Sequence, residues 1–198
     1  MTHQESDMKM KIVLAAKKLF AQHGYDATSV RQICEEAGAN VALVSYYFGG
    51  KESVFYEIFR QFFPTHKLSG FFDIKDPVIG MKTIIKEVIL IRTKDPQMIS
   101  LIQMEIITLS PRVEKMRELV FPVWEKVRSL LDTGRQQGFF HFESLDSTLM
   151  FVLGSIFFYK QRDFFEPLFT DQRPDIETLI HQTTAYIMNA LGYQSKGE

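Results

Sequence analysis

Apolar residues recur at intervals of three and four along almost the whole chain, and this spacing is the strongest constraint on its fold. In the first segment, one helix face carries Ile12, Ala15, Ala16, Leu19 and Phe20. No segment alternates apolar and polar residues in the manner of a half-buried strand. The sequence therefore predicts an all-α protein.

Glycines and capping residues divide the first third of the chain into four short helices. Polar side chains at helix starts and glycines at helix ends satisfy backbone groups that the helix leaves free. A turn of two to four residues separates the second helix from the third, as in a helix-turn-helix unit. The predicted helices are 9–22, a second from a cap at Thr28 to Gly38, a third from a cap at Asn40 to Phe48, and a fourth from Lys51 or Glu52 to about His66.

The rest of the chain predicts longer and more apolar helices. Pro122 lies inside the longest of them and predicts a kink. Gln103 and Glu105 interrupt another apolar segment, and we interpret them as surface residues. We expect two domains, a three-helix helix-turn-helix domain at 1–50 and a larger helical domain at 51–198. Beyond residue 77 the predicted helices are 78–94, 97–109, 110–137, 146–162 and 175–191.

The charge balance excludes a bulk positive charge as a source of nucleic-acid binding. The formal net charge is −1, and residues 1–60 carry seven Lys or Arg against seven Asp or Glu. Contacts with a polyanion must therefore come from a local arrangement of side chains. We interpret the lysines of the first helix as a solvated face: Lys9, Lys11, Lys17 and Lys18.

The single cysteine and the short apolar runs predict a soluble, cytoplasmic protein. Cys34 cannot form an intrachain disulfide, and its place on the apolar stripe of the second helix predicts a core position. The longest apolar run, 149–159, has eleven residues. A helix that spans a bilayer needs about 20.

The third predicted helix carries two adjacent tyrosines, Tyr46 and Tyr47, that cannot both face a core. Neighbours on a helix point about 100° apart, so Val44 facing inward turns Tyr46 outward. Small and apolar side chains share that outward side: Ala42, Leu43 and Ser45. Methyl groups contact thymine, a serine hydroxyl bonds to base edges, and tyrosine or lysine side chains reach phosphate. The pattern predicts a helix that enters the major groove of DNA.

The same residues resemble the DNA-binding domain of the TetR family of bacterial transcriptional regulators. The resemblance covers residues 9–60 and rests on the spacing of Thr28-Ser29-Val30-Arg31-Gln32-Ile33, Ala37-Gly38, Tyr47-Phe48 and Lys51-Glu52. It implies that Thr28 contacts phosphate and that Arg31 contacts a base edge or phosphate. It places Val41, Ala42 and Leu43 over base edges, and Tyr46, Tyr47 and Lys51 on the backbone. Ser45 stands where many members have tyrosine.

The resemblance also implies a homodimer and a small effector. In that family the last two helices pair with their copies, here 146–162 and 175–191, and the other C-terminal helices enclose a ligand. Apolar side chains in these helices predict an apolar or aromatic effector. The candidate lining residues are Met104, Phe121, Trp124 and Phe151.

Catalytic motifs are missing from the sequence. The five histidines are scattered, and no metal-binding pair, phosphate-binding glycine loop or nucleophile elbow is present. We expect no enzyme activity, metal or cofactor. Two hypotheses stay open: a repressor that binds a palindromic operator as a dimer and is released by an effector, or a helical scaffold that binds protein and not DNA.

Overall fold

The computed structural model describes residues 3–63 and 70–194, and no β-strand occurs among them. The predicted all-α class is confirmed. No helix in these ranges is long and apolar enough to cross a membrane. The α-helices are α1 His3–His23, α2 Val30–Ala37, α3 Val41–Phe48, α4 Lys51–Phe62, α5 Pro77–Lys94, α6 Pro96–Thr108, α7 Val113–Gln136, α8 Leu145–Phe157 and α9 Ile176–Ala190, with a 3₁₀ helix at Phe158–Leu168.

The described residues form two compact units that are not consecutive in sequence. The N-terminal unit combines the residues before 64 with 95–120, and the C-terminal unit combines 70–94 with 121–194. The division within α7 falls next to Pro122. The predicted domain boundary after residue 50 stays a prediction, and the predicted end of the fourth helix near His66 lies outside the described residues.

The second helix begins one residue later than predicted. Ser29, not Thr28, is its N-cap: Ser29 accepts a hydrogen bond from the Gln32 N–H, and the Gln32 side chain accepts one from the Ser29 N–H. This capping box satisfies two backbone donors at once. Thr28 is buried, and its hydroxyl donates to the Gly24 carbonyl at 2.8 Å. Asn40 caps α3 as predicted.

Two charged residues that the sequence assigned to the surface lie in buried ion pairs of the N-terminal unit. Lys17 is 6% exposed, and its ammonium lies 2.5 Å from a carboxylate oxygen of Asp95. Glu105 is 3% exposed and lies 3.1 Å from the Arg112 guanidinium. The surface interpretation was wrong for both. The reason is physical: burial of a charge is tolerated where a partner compensates it.

The C-terminal unit packs α5, the second half of α7, α8 and α9 around apolar side chains. A Cβ added at Gly134 would lie 2.1 Å from the Phe140 ring, so only glycine allows this approach. Cys34, in the other unit, is 1% exposed, which confirms its predicted core position. The predicted helix 146–162 is α-helical only to Phe157 and continues as the 3₁₀ helix. Side chains three residues apart lie on the same side of both an α-helix and a 3₁₀ helix, so the apolar spacing alone does not distinguish the two.

Candidate nucleic-acid interface

The third helix turns one side to the core and the other to solvent, as its sequence predicts. Val44 is fully buried, whereas Tyr46 is 76% exposed. Val41, Ala42 and Ser45 are also exposed. We call Val41, Ala42, Ser45 and Tyr46 the α3 face. It carries methyl groups, one aliphatic hydroxyl and one phenol, and it has no charged side chain.

Leu43 and Tyr47 border the α3 face and are half-buried against the core of the N-terminal unit. The prediction that Leu43 lies on the outward side of α3 was therefore wrong, because its side chain packs against the core. The Tyr47 ring lies 5.2 Å from the Tyr46 ring, centroid to centroid. The Lys9 ammonium lies 5.2 Å from the centre of the Tyr47 ring. The sequence analysis assigned Lys9 to a solvated face and did not relate it to Tyr47, because α1 and α3 are separate segments and no local pattern connects them.

Lys51 braces the loop between α1 and α2. Its ammonium donates to the carbonyls of Tyr25 and Thr28, each at 2.9 Å, and lies 4.1 Å from the centre of the Tyr25 ring. An ammonium has three N–H donors, so these two bonds leave one for an anion. Lys51 therefore has a structural role that its sequence position did not reveal.

The turn between α3 and α4 suits a close approach to phosphate. Gly49 has φ 79° and Gly50 has φ 154°, conformations that favour glycine, and a Cβ at either position would meet nothing within 4 Å. No side chain caps the start of α4 at Gly50. A helix N-terminus presents free N–H groups and a partial positive charge, which together attract an anion.

Arg31 lies on the exposed side of α2. Its Nε donates to a carboxylate oxygen of Glu35 at 2.9 Å, and the Arg31 side chain is 82% exposed. An exposed pair of this kind contributes little to stability. The guanidinium can therefore exchange Glu35 for a phosphate or a base edge without disturbing the fold.

A cation–aromatic cluster holds the loop that Lys51 braces. The Arg112 guanidinium lies 3.8 Å from the centre of the Tyr25 ring, with carboxylate oxygens of Glu105 at 3.1 Å and Asp26 at 3.7 Å. Burial raises the pKa of Tyr25, and the charge of Arg112 opposes that rise. The tyrosine thus stays a neutral platform between two cations, Arg112 and Lys51.

The predicted effector residues do not share one lining. Met104 is half-buried in the N-terminal unit, where its sulfur lies 3.0 Å from the Cβ position of Gly24. Phe121 is 45% exposed, and the Trp124 ring lies 5.1 Å from the ring of Phe157. Phe151 lines an open groove of about 880 Å³ in the C-terminal unit. Within residues 3–63 and 70–194, no three His, Cys, Asp or Glu residues are grouped to hold a metal ion.

The helices of the candidate interface match a known family of DNA-binding proteins. The family described as "Bacterial regulatory proteins, tetR family" matches residues 12–58, which include α2, α3 and the turn to α4. The probable HTH-type transcriptional regulator YttP of Bacillus subtilis (strain 168) is 44% identical over 55 residues, 28% of this chain and 27% of YttP. Over residues 12–58 the chain is therefore similar to the TetR family. The match spans about a quarter of this curated relative's length.

Solved structures are similar to this chain over nearly its whole length. The hemolysin II transcriptional regulator HlyIIR is 28% identical, with a TM-score of 0.80, covering 96% of this chain and 99% of HlyIIR. The regulator FadR of Bacillus subtilis, solved in complex with stearoyl-CoA, is 18% identical, with a TM-score of 0.69, covering 90% of this chain and 97% of FadR. The second likeness concerns the fold alone.

Proposed function

We propose that this chain is a TetR-family transcriptional repressor that binds a palindromic operator as a homodimer in the cytoplasm and is released by a small apolar or aromatic effector. The exposed α3 face carries the proposal. An outward row of methyl groups with a phenol 76% exposed is unfavourable in water and suits a major groove. The family match supports it, because the α3 face lies within the matched residues.

In the proposed complex the side chains divide into base contacts and backbone contacts. Val41, Ala42 and Leu43 meet thymine methyl groups, and Ser45 bonds to a base edge. The backbone contacts come from tyrosine hydroxyls, lysines and the free N–H groups at the start of α4. The backbone-contacting side chains are Tyr46, Tyr47, Lys51 and, in addition to the sequence prediction, Lys9.

Thr28 enters the proposal as a support, because its hydroxyl is buried on Gly24. The residue holds the start of α2 in place, and with it Ser29 and Arg31 on the exposed side. Arg31 then supplies the polar contact to phosphate or a base edge. The first turn of α2, which begins at Val30, adds backbone N–H groups that can bind an anion.

The dimer of the proposal forms through α8 and α9. Met150 on α8 is 68% exposed, Phe151 is 47% exposed, and Tyr186 on α9 is 67% exposed. Exposed apolar side chains concentrated on neighbouring elements mark interaction surfaces. A two-fold dimer places two α3 helices on half-sites about one helical turn, roughly 34–36 Å, apart.

An effector regulates such a dimer only through a difference in its affinity for two conformations. The side chains of Met150, Phe158 and Phe169 line the groove beside Phe151, which supports an apolar ligand. The groove of about 880 Å³ beside Phe151 offers a volume in the range of small-molecule sites. The proposed effector binds in the C-terminal unit and lowers the affinity of the dimer for its operator.

Two exposed arginines of the N-terminal unit give a matched test of the DNA assignment. Arg31 and Arg60 each pair with a carboxylate on their own helix, and their side chains are 82% and 64% exposed. We expect Arg31→Gln to weaken binding to duplex DNA. It should also lower, by about one, the slope of the logarithm of the binding constant against the logarithm of the salt concentration. Arg60→Gln removes the same charge and should leave both unchanged. Fluorescence polarisation at several salt concentrations measures both quantities.

The same titration tests the scaffold alternative, which the seven-to-seven charge balance of residues 1–60 favours. Phosphate contacts release counterions, so true DNA binding falls steeply as salt rises. Equal affinities for the two variants would contradict the assignment of Arg31. Absence of salt-dependent binding by the wild type would favour the scaffold.

A further inference from the structure

Arg92 is a buried cation in the last turn of α5. The residue is 7% exposed, and its Nη1 donates to the backbone carbonyl of Ile156, near the end of α8. A guanidinium has five N–H donors, and a carbonyl acceptor carries no net charge. The C-terminus of α5 adds only about half an elementary charge. The charge of Arg92 is therefore only partly compensated.

The other arginines show how unusual this is. All nine arginines of the sequence lie in the described residues. Within residues 3–63 and 70–194, every one except Arg92 has a carboxylate within ion-pair distance. The comparison with Arg162 is the closest, because its side chain is only 9% exposed yet pairs with Glu166 at 2.8 Å. Burial lowers the pKa of Arg92, which reflects the cost of keeping its charge away from water.

A polar group next to Arg92 lacks a hydrogen-bond partner among the described residues. The Arg92 guanidinium carbon lies 4.8 Å from the centre of the Tyr159 ring. The Tyr159 hydroxyl is buried, and no described group forms a hydrogen bond with it. A buried hydroxyl without a partner destabilises the folded protein, because it has lost its hydrogen bonds to water. The Arg92 guanidinium therefore lies against the ring that carries this hydroxyl. An oxyanion would satisfy neighbouring donors of this kind, since carboxylate and phosphate accept several hydrogen bonds at once.

Tyr159 connects this pair to the apolar groove described above. Its side chain lines that groove of about 880 Å³, together with Met150, Phe151, Phe158 and Phe169. Gly154 lies in the same lining, and a Cβ there would meet nothing within 4 Å. An apolar body in the groove would thus lie beside the Tyr159 ring, against which the Arg92 guanidinium packs.

We propose that Arg92 and the Tyr159 hydroxyl bind the oxyanion, a carboxylate or a phosphate, of an apolar effector whose body occupies the groove beside Tyr159. The inference rests on the proposed effector-controlled repressor and adds the chemical class of the effector. A bound anion would accept hydrogen bonds from both Arg92 and Tyr159. A neutral ligand of the same shape would leave the charge of Arg92 without a counter-ion. Selectivity for an anionic amphiphile over its neutral analogue follows from the penalty of leaving Arg92 unpaired.

The test compares three probes with the same chain: dodecanoate, dodecyl phosphate and the neutral dodecanol. Isothermal titration calorimetry with the full-length protein gives each affinity, and the single tryptophan, Trp124, gives a fluorescence signal from the same unit. We expect at least one of the anions to bind about tenfold or more tightly than dodecanol. The two anions separate a carboxylate site from a phosphate site.

Variants assign the preference to the two residues. Arg92→Gln should abolish the preference for an anion, and Tyr159→Phe should lower it by about threefold to tenfold. Arg128→Gln is the control, because Arg128 is exposed and already pairs with Asp146. If Arg92 is needed for the fold, Arg92→Gln lowers the melting temperature. If Arg92 instead binds a ligand, Arg92→Gln should leave the melting temperature of the ligand-free protein unchanged or raise it. Tyr159→Phe keeps the test valid if Arg92→Gln fails to fold.

Three results would overturn the inference: equal affinity for dodecanol and both anions, no binding of any probe at millimolar concentration, or an anion preference that survives in both variants. Anion binding that leaves the affinity for duplex DNA unchanged would overturn the effector role. Measuring DNA binding on the same samples separates failure of this inference from failure of the proposed function. If the wild type binds DNA in a salt-dependent way but shows no preference for an anionic probe, this inference alone is contradicted. If the ligand-free wild type does not bind DNA, the proposed function is contradicted.

Discussion

Lys51 shows how one residue can serve both the fold and the proposed interface. Two of its three N–H donors bond to the carbonyls of Tyr25 and Thr28, which lie more than twenty residues before it in the chain. The third donor is left at the start of α4, beside the glycine turn. A contact with phosphate would then be made by a side chain that the fold already holds in place, which lowers its entropic cost.

Replacing Lys51 by Met should therefore change stability as well as DNA binding. The methionine stem keeps most of the packing but loses both hydrogen bonds, so we expect a loss of about 1–3 kcal/mol in the free energy of unfolding. Urea denaturation followed by circular dichroism measures it. Lys86→Met, at an exposed position on α5, is the control. Unchanged stability with weakened DNA binding would show that Lys51 only contacts phosphate.

Local signals in the sequence predicted much of the structure, and distant partners account for what was missed. Apolar spacing and the Asn40 cap act over a few residues, so the helices and the orientation of the α3 face could be predicted. Lys17 and Asp95 lie 78 positions apart, and no local pattern relates them. The brace formed by Lys51 and the burial of Thr28 also depend on residues brought together by tertiary packing.

At the scale of elements, the contact between the end of α7 and the following loop constrains the C-terminal unit. The Phe140 ring packs directly on the backbone of Gly134, where any side chain would overlap it. Phe140 itself is 1% exposed. The glycine therefore sets how closely the loop can pack on α7.

A pair of glycine substitutions tests this packing. Gly134→Ala should destabilise the protein by about 1–3 kcal/mol, because the Phe140 ring must move. Gly154→Ala, inside α8 with open space around it, should stabilise by up to about 1 kcal/mol, because alanine favours the helix. Thermal unfolding of both variants gives the comparison. Equal effects of the two substitutions would contradict the close approach at Gly134.

At the scale of the whole molecule, the proposed regulator depends on a dimer. Met150→Glu places a charge on the exposed apolar side of α8, where it should split the dimer and leave the fold of each subunit intact. Ile79→Glu makes the same change at an exposed position on α5 and should leave the dimer intact. Sedimentation velocity distinguishes the two outcomes. A monomeric wild type, or a dimer that survives Met150→Glu, would contradict the assignment of α8.

Selection of bound sequences from a random duplex library tests the central claim most directly. The purified, ligand-free protein is used at about 0.15 M salt, the physiological range. We expect enrichment of a palindrome whose half-sites lie about one helical turn or more apart, and Ala42→Asp, which adds a negative charge to the α3 face, should abolish it. Failure of the folded protein to enrich any sequence, or enrichment by Ala42→Asp of the same palindrome, would contradict the reading of DNA by α3.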